Sequence, residues 1–367
     1  MPSLLDTVFD PSGDVVLLLP KKAPGSTTDT AEAKVQPPDS TEFVGEEDAG
    51  IHSPTEEGGV GSPSGTEPRD DREASSERSF DDLEPDDFIE VTVSSKHLAL
   101  HSRVFRAMFN GNFREKVQPG SQQPIKVPLP EDNPEAMMLI LAIVHGFTRK
   151  VPRKVSRDML LQIALLIDKY EIDETLELFT HMWFKNLKRK SDMEKASSLS
   201  DWIYISFVTR QEVTFNQLTT RAVNISPVPR GKVALPDFIG DRIEASRLEA
   251  IQSYLQVLER FIQTYQGAGA EVQCSNQQHC DDMVLGNLIL ELTSVGLYPL
   301  PRAASVAMSV AELRQVLLED LRLTSLCLIS PPEFDYIPVT CDLRQQLDTA
   351  IGQIDQRTRG PTLEDLS

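Results

Sequence analysis

The feature that most restricts the fold of this chain is the segment 21–87, which is too polar to form a hydrophobic core. It holds 19 acidic residues against 6 basic ones and therefore carries −13 of the formal net charge of −20. The rest of the segment is mainly Pro, Gly, Ser and Thr, with almost no aromatic residues. Burial of so little apolar surface does not offset the entropy lost on ordering. We therefore predict a disordered acidic insertion at 21–85, with folded structure on both sides.

Outside this segment the composition is that of an ordinary globular protein. The other 300 residues carry a net charge of only −7, which argues against general binding to nucleic-acid phosphates. A hydrophobic fraction of 40% in a chain of 367 residues is enough to supply two domains with cores. We therefore expect a folded protein without a nucleic-acid partner.

The sequence gives no indication of secretion or of membrane insertion. The opening residues, MPSLLDTVFD, lack a basic segment and an apolar segment, and the most apolar run, 137–144, is too short to span a bilayer. Four cysteines in a chain of this length do not form a disulfide scaffold, which favours a reducing compartment. We expect an intracellular protein of the cytoplasm or the nucleus, with no membrane partner.

Four short segments have the pattern of β-strands. Residues 14–19 form an apolar run that predicts one buried strand. Residues 88–93 alternate with period two, and 96–100 after Ser94-Ser95 predict a second strand, so that the two would form a hairpin. A further short strand is predicted at 124–129.

Helical patterns dominate the rest of the chain. Ser102 is placed to cap a short helix at 103–109, and Asn133-Pro134 starts a helix that ends near Gly146. Further helices are predicted at 155–170, 173–187, 197–207, 214–223, 241–265, 283–297 and 309–321. The fold class is therefore α+β, a small sheet with a cluster of helices, followed by an all-helical region at 195–355 and a flexible tail at 356–367.

Several motifs resemble the BTB/POZ domain of the type found in filamentous fungi. They are VSSKHLAL at 93–100, SRVFRAMF at 102–109, FRE at 113–115, HGFTRKVP at 145–152, DKY at 168–170 and MW at 182–183. Downstream, DWIYISFV at 201–208 and the segment 274–286 resemble the C-terminal region that often accompanies this domain in ascomycete proteins. The resemblance implies a discontinuous BTB/POZ domain formed by 12–20 and 86–190. The insertion replaces the short turn that the family usually has after the first strand, a change that costs little because loop-closure entropy grows only logarithmically with length.

What the resemblance implies is a non-enzymatic protein-binding module, commonly homodimeric, that works as a scaffold or adaptor. Some relatives recruit a cullin for ubiquitination, and Phe113 and Glu115 stand where those relatives carry an apolar-x-Glu motif. The alternative for this triplet is a helix end with an apolar staple and a solvated acid. A transcriptional corepressor scaffold in the nucleus is a further alternative within the interaction class.

One group of residues has the chemistry of metal ligands. Cys274, Cys280 and Cys341 offer three thiolates for zinc, and either His279 or Cys327 offers a fourth. A zinc-stabilised or enzymatic module around 274–280 is thus the alternative function from a different class. The other interpretation is that these thiols pack as small apolar residues, in which case no cofactor is needed.

The remaining histidines and one basic run have simpler explanations. His97, His101, His145 and His181 lack a paired carboxylate or nucleophile at a catalytic spacing, so we interpret them as structural hydrogen-bonding residues. The basic residues at 185–190 follow the end of a predicted helix, where cations complement the helix dipole. A nuclear-import signal is the functional alternative for this run.

Overall fold

The computed structural model of the chain describes residues 7–22, 87–111, 113, 115–117, 123–187, 198–225, 231–266, 273–274, 279–329 and 341–366. Residues 23–85 of the predicted insertion lie outside the described residues. The described part is mixed α+β, mostly helical, with a small sheet of three strands. The predicted fold class is confirmed at this level.

The sheet is built around the N-terminal strand. Strand β1 (Val15–Pro20) lies between β2 (Phe88–Val93) and β3 (Ile125–Pro128). It pairs antiparallel with β2, with Val15 opposite Val93, and parallel with β3. Four of its six side chains are buried, as expected for a central strand with an apolar sequence. The acidic insertion therefore connects two adjacent antiparallel strands.

The predicted second strand of a hairpin at 96–100 is wrong, because this segment belongs to helix α1 (Ser95–His101). Strand β2 finds its antiparallel partner in β1 instead. The backbone N–H and the hydroxyl of Ser95 donate hydrogen bonds of 2.8 and 2.6 Å to the Asp14 carboxylate, which fixes the start of α1. Leu98 is 2% exposed and Leu100 is 68% exposed, so the two leucines do not share a face as they would in a strand.

The other helices of the first part follow their predicted positions closely. They are α2 (Arg103–Asn110), α3 (Pro134–Val144), α4 (Arg157–Tyr170) and α5 (Asp173–Leu187). Ser102 and Asn133 cap α2 and α3 by accepting hydrogen bonds from the N–H groups of Phe105 and Ala136. Half of the residues of α4 are buried, so its predicted central position is confirmed.

The second part contains helices and no strand among its described residues. Its helices are α6 (Leu199–Val208), α7 (Glu212–Ile225), α8 (Asp237–Gln266), α9 (Cys280–Ser294), α10 (Val310–Gln315), α11 (Leu326–Ile329) and α12 (Leu343–Arg357). A π-helical turn, Val316–Asp320, continues α10. Among the described helices, none combines the length and the apolar composition needed to cross a bilayer.

The two parts share one continuous buried core, and α6 is the element that joins them. The ring of Trp202 meets the ring of Phe184 edge-on at 5.7 Å. Asp201 is 1% exposed, and its carboxylate accepts hydrogen bonds of 2.8 and 3.2 Å from the backbone N–H groups of Lys232 and Val233. The C-terminal region is thus packed onto the first part rather than tethered to it.

The prediction of a flexible tail at 356–367 is wrong for its described residues. Helix α12 extends to Arg357, and Gly360 and Pro361 are buried. The hydroxyl of Thr219 donates a hydrogen bond of 2.9 Å to the carbonyl of Pro361. This contact could not be predicted from the sequence, because its partner lies on α7, 142 residues away.

Candidate metal centre

All four cysteines of the chain meet at one point in the C-terminal region. Their Sγ atoms lie within 4.8 Å of one another. Cys280 is the first residue of α9, Cys327 lies in α11, and Cys341 precedes the N-cap of α12. Cys274 comes from the segment before α9, whose residue Gln273 is held by a 2.8 Å hydrogen bond from its N–H to Asp281. Four separate positions between 274 and 341 therefore supply one sulfur each.

The sulfur separations fit a single ion. Cys327 Sγ lies 3.5 Å from Cys274 Sγ and 3.9 Å from Cys280 Sγ, and Cys280 Sγ lies 3.9 Å from Cys341 Sγ. Four thiolates bonded to one Zn²⁺ at about 2.3 Å in a tetrahedron have sulfurs about 3.8 Å apart. A disulfide needs about 2.05 Å between its sulfurs, and the four cysteines are free thiols in this structure. The arrangement matches tetrahedral coordination without any disulfide.

Burial at this centre is nearly complete. The cysteines are between 0% and 3% exposed. They form a cluster of their own with Leu326 packed against it, separate from the main apolar core. Thiols that act only as small apolar residues are expected to merge with the aliphatic core around them. The separate sulfur cluster favours a shared ligand over simple packing.

His279 is not part of this centre, so its selection as a ligand is wrong. It has a left-handed backbone with φ 64°, and its ring is 71% exposed. Its Nδ1 lies 3.0 Å from a carboxylate oxygen of Asp282 on the solvent side of α9. The fourth ligand position is taken by Cys327, the other candidate named from the sequence.

Electrostatics at the centre depend on the charge of the thiols. Burial, as the main cause, raises the pKa of Cys327 to about 11 and also raises the pKa of Cys341. A bound dication reverses this preference, because a coordinating thiol is deprotonated outright. Helices α9 and α12, of 15 residues each, begin at the centre. The positive ends of their dipoles stabilise negative charge on the sulfurs.

Phe113 and Glu115, the candidate partner-binding residues, lie far from the cysteines in sequence and just after α2. Phe113 is 61% exposed, and Glu115 is half-buried. The Phe113 ring also lies beside Gly111, the C-cap of α2, so this geometry fits both interpretations of the triplet.

The histidines of the first part have structural contacts. His145 accepts a hydrogen bond of 3.2 Å at Nε2 from the N–H of Ser94, and its Nδ1 lies 3.0 Å from the carbonyl of Leu141. Its ring stacks on His97 at 5.1 Å. Burial, as the largest cause, lowers the pKa of His145. This neutral ring joins β2 to α3, as expected for a structural residue.

Comparisons with known proteins add no assignment. No family model matches the sequence, and no curated protein matches it. What the chain does is therefore inferred from its own residues and their geometry.

Proposed function

We propose that the chain is an intracellular protein-interaction scaffold, with residues 12–20 and 86–190 forming a BTB/POZ-type domain and residues 195–355 forming a helical region docked on it. Support comes from the order of its elements, in which two paired strands, two short helices, a third strand and three longer helices follow one another. The sequence predicts a hairpin and one short helix between the first strand and the strand at 124–129, where the structure has one strand and two short helices. The four cysteines lie within 4.8 Å of one another as free thiols, which supports a reducing compartment.

The interaction function is inferred from one observation, which is the exposed apolar surface of α1 and α2. Leu100 on α1 is 68% exposed and Phe113 after α2 is 61% exposed, while Val104 and Met108 on α2 are half-buried. Burial of one such large side chain stabilises a complex by about 1.5–3 kcal/mol. We call Leu100, Val104, Met108 and Phe113 the α1–α2 surface.

The α1–α2 surface is also held in one shape. The guanidinium of Arg106 donates hydrogen bonds of 2.9 and 3.3 Å to the carbonyls of Ala99 and Leu100, which joins the end of α1 to α2. At its other side, the hydroxyl of Ser102 donates a 2.6 Å hydrogen bond to the carbonyl of Tyr170 on α4. A preorganised surface loses little conformational entropy on binding. It suits a partner that presents the same surface, a second copy of this chain in a two-fold dimer.

The test is the solution mass of the full chain by light scattering over a dilution series. We expect a dimer for the wild type and a monomer for L100D and F113D, because each places a charge inside the contact. L178D is the matched control, since Leu178 is 83% exposed on α5, outside the α1–α2 surface. A monomeric wild type, or a dimer that L178D breaks and L100D does not, contradicts the proposal.

The acidic insertion is expected to act as a tether rather than as part of the dimer contact. Deletion of residues 22–84 leaves β1 joined to β2 by a short turn, as their antiparallel pairing allows. The truncated chain is expected to remain dimeric by light scattering. Loss of the dimer on deletion would place the contact in the insertion.

A second candidate function is that of a substrate adaptor for a cullin. The observation in its favour is that Phe113, a large apolar residue that is 61% exposed, lies just before the half-buried Glu115. A pull-down of purified cullin by the wild type, F113A and L290A tests it, since Leu290 is 70% exposed on α9 and serves as the control. Binding that F113A removes and L290A retains supports the adaptor. Equal binding by both variants, or none by the wild type, contradicts it.

A further inference from the structure

We propose that Cys274, Cys280, Cys327 and Cys341 bind one Zn²⁺ as a structural tetrathiolate centre. The inference rests on the convergence of every cysteine in the chain, with sulfurs within 4.8 Å of one another. It does not depend on the BTB/POZ resemblance or on the dimer.

The number of ions follows from the distances. An iron–sulfur cluster distributes its four cysteines over two or four metal atoms, so their sulfurs are farther apart than around a single ion. Three of the six sulfur separations are 3.5 to 3.9 Å and all six are within 4.8 Å, which fits one tetrahedral ion. Soft thiolate ligands in this geometry select zinc among the common divalent ions of the cell.

Whether the ion is structural or catalytic follows from its ligands, because protein thiols occupy all four of its coordination positions. Catalytic zinc keeps one position for water or substrate, whereas structural zinc is closed by four protein ligands. The four thiols here are at most 3% exposed and supply all four positions. The centre is therefore structural, which separates it from an enzymatic module around 274–280.

The ion would join four parts of the chain that are separated in sequence. It joins the segment before α9, the start of α9, α11 and the start of α12. Helix α12 in turn places Leu347 and Ile351 in the main core, and Asp355 accepts a hydrogen bond from Tyr254 of α8. Binding of the metal is thus coupled to the folding of the last quarter of the chain.

Elemental analysis of the full chain after gel filtration is the first experiment. We expect about one zinc per chain, with C280S and C327S each retaining much less. H279A is the control, since it removes a neighbouring candidate ligand that lies outside the centre, and it is expected to retain the metal. A chain that is free of metal as purified, stays folded in chelator and takes up no added Zn²⁺ overturns the proposal, as does loss of zinc in H279A.

A second measurement keeps the proposal testable if the cysteine variants do not fold. X-ray absorption at the zinc edge of the wild type is expected to show four sulfur neighbours at about 2.3 Å. Nitrogen or oxygen in the first shell, or one iron per chain in place of zinc, overturns the assignment. The dimer test uses Leu100 and Phe113, which are remote from the cysteines, so failure of one proposal leaves the other open to its own test.

Discussion

The hydroxyl of Tyr204 donates a hydrogen bond of 3.0 Å to the carboxylate of Asp168, and this contact joins α6 of the C-terminal region to α4 of the first part. Tyr204 is 4% exposed, while Asp168 lies at the surface. The pair thus stands at the boundary between the shared core and solvent.

Loss of this hydrogen bond is expected to weaken the packing of α6 on α4. Y204F should lower the free energy of unfolding by about 1 kcal/mol, because the bond is replaced by no other. Urea unfolding of Y204F, D168A and the double variant forms a double-mutant cycle. We expect the double variant to cost less than the sum of the single ones, and full additivity would show that the pair makes no stabilising contact.

A buried carboxylate near the start of α3 offers a comparison between two neighbouring acids. Asp132 is 1% exposed and accepts hydrogen bonds of 2.5 Å from the hydroxyl of Tyr170 and 2.7 Å from Lys169. D132A leaves the Tyr170 hydroxyl buried without this acceptor and should cost about 2 kcal/mol of unfolding free energy. Glu131, 86% exposed and 3.8 Å from the same lysine, is the control. E131A is expected to change stability by less than about 0.5 kcal/mol, and similar losses in both variants would contradict this account.

Replacement by alanine is expected to have opposite effects on stability at Gly360, in the docked C-terminal segment, and at Gly352, in α12. A Cβ atom at Gly360 would overlap the backbone of Thr219 and Thr220, whereas a Cβ at Gly352, inside α12, would meet nothing within 4 Å. G360A should therefore destabilise the chain by about 1–3 kcal/mol through overpacking. G352A should stabilise it by about 0.5–1 kcal/mol through helix propensity. Thermal unfolding of both variants is the measurement, and a neutral G360A would show that the segment is not docked.

Alkaline pH should destabilise the protein through its buried tyrosines. Tyr170, Tyr204 and Tyr254 donate hydrogen bonds to carboxylates, and burial, followed by these neighbouring carboxylates, raises the pKa of each hydroxyl above its usual value of 10. The folded state then retains protons that the unfolded state releases. This contribution is therefore fully present below about pH 10 and is lost as the pH rises above it.

The measurement is the unfolding free energy between pH 9 and pH 11. Above about pH 10 each retained proton adds a slope that approaches about −1.4 kcal/mol per pH unit, or about 1.4 kcal/mol in total between pH 9 and pH 11. Y254F is expected to reduce the loss of stability over this range by about that amount. An unchanged slope in Y254F would show that Tyr254 ionises equally in the folded and unfolded states. Comparison of variants removes the contribution of the thiols, which is common to all of them.

Elements whose cause is local could be predicted from the sequence. Asn133 and Pro134 start α3 because a side-chain cap and a fixed φ act within one turn, and α4 is apolar on most sides because it lies in the core. The prediction of a strand at 96–100 is wrong because its alternating pattern fits a strand as well as a short helix. The choice is made by the contact of Ser95 with Asp14, 81 residues away. In addition, β1 pairs with one edge of β2, and residues 7–9 contact its other edge at Thr92.

The sequence predicts only part of the metal centre, because local sequence does not determine tertiary contacts. Cys274 and Cys280 are close in sequence, so their proximity could be inferred, and His279 was chosen with them because its residue type fits zinc. Its left-handed backbone turns it towards solvent, which local sequence does not reveal. Cys327 and Cys341 reach the centre only through the packing of α9, α11 and α12, a tertiary arrangement that spacing along the chain does not determine.

Strand β1 is synthesised first, yet it lies in the middle of the sheet. Its antiparallel neighbour ends at Val93 and its parallel neighbour at Pro128. At a translation rate of roughly 5–20 residues per second, the ribosome needs on the order of ten seconds to deliver both neighbours. During that time the nascent chain displays Val15-Val16-Leu17-Leu18-Leu19 with unpaired backbone on both edges. The acidic segment 21–87 emerges directly behind this apolar strand, so a net charge of −13 accompanies the strand and favours solubility before the sheet closes.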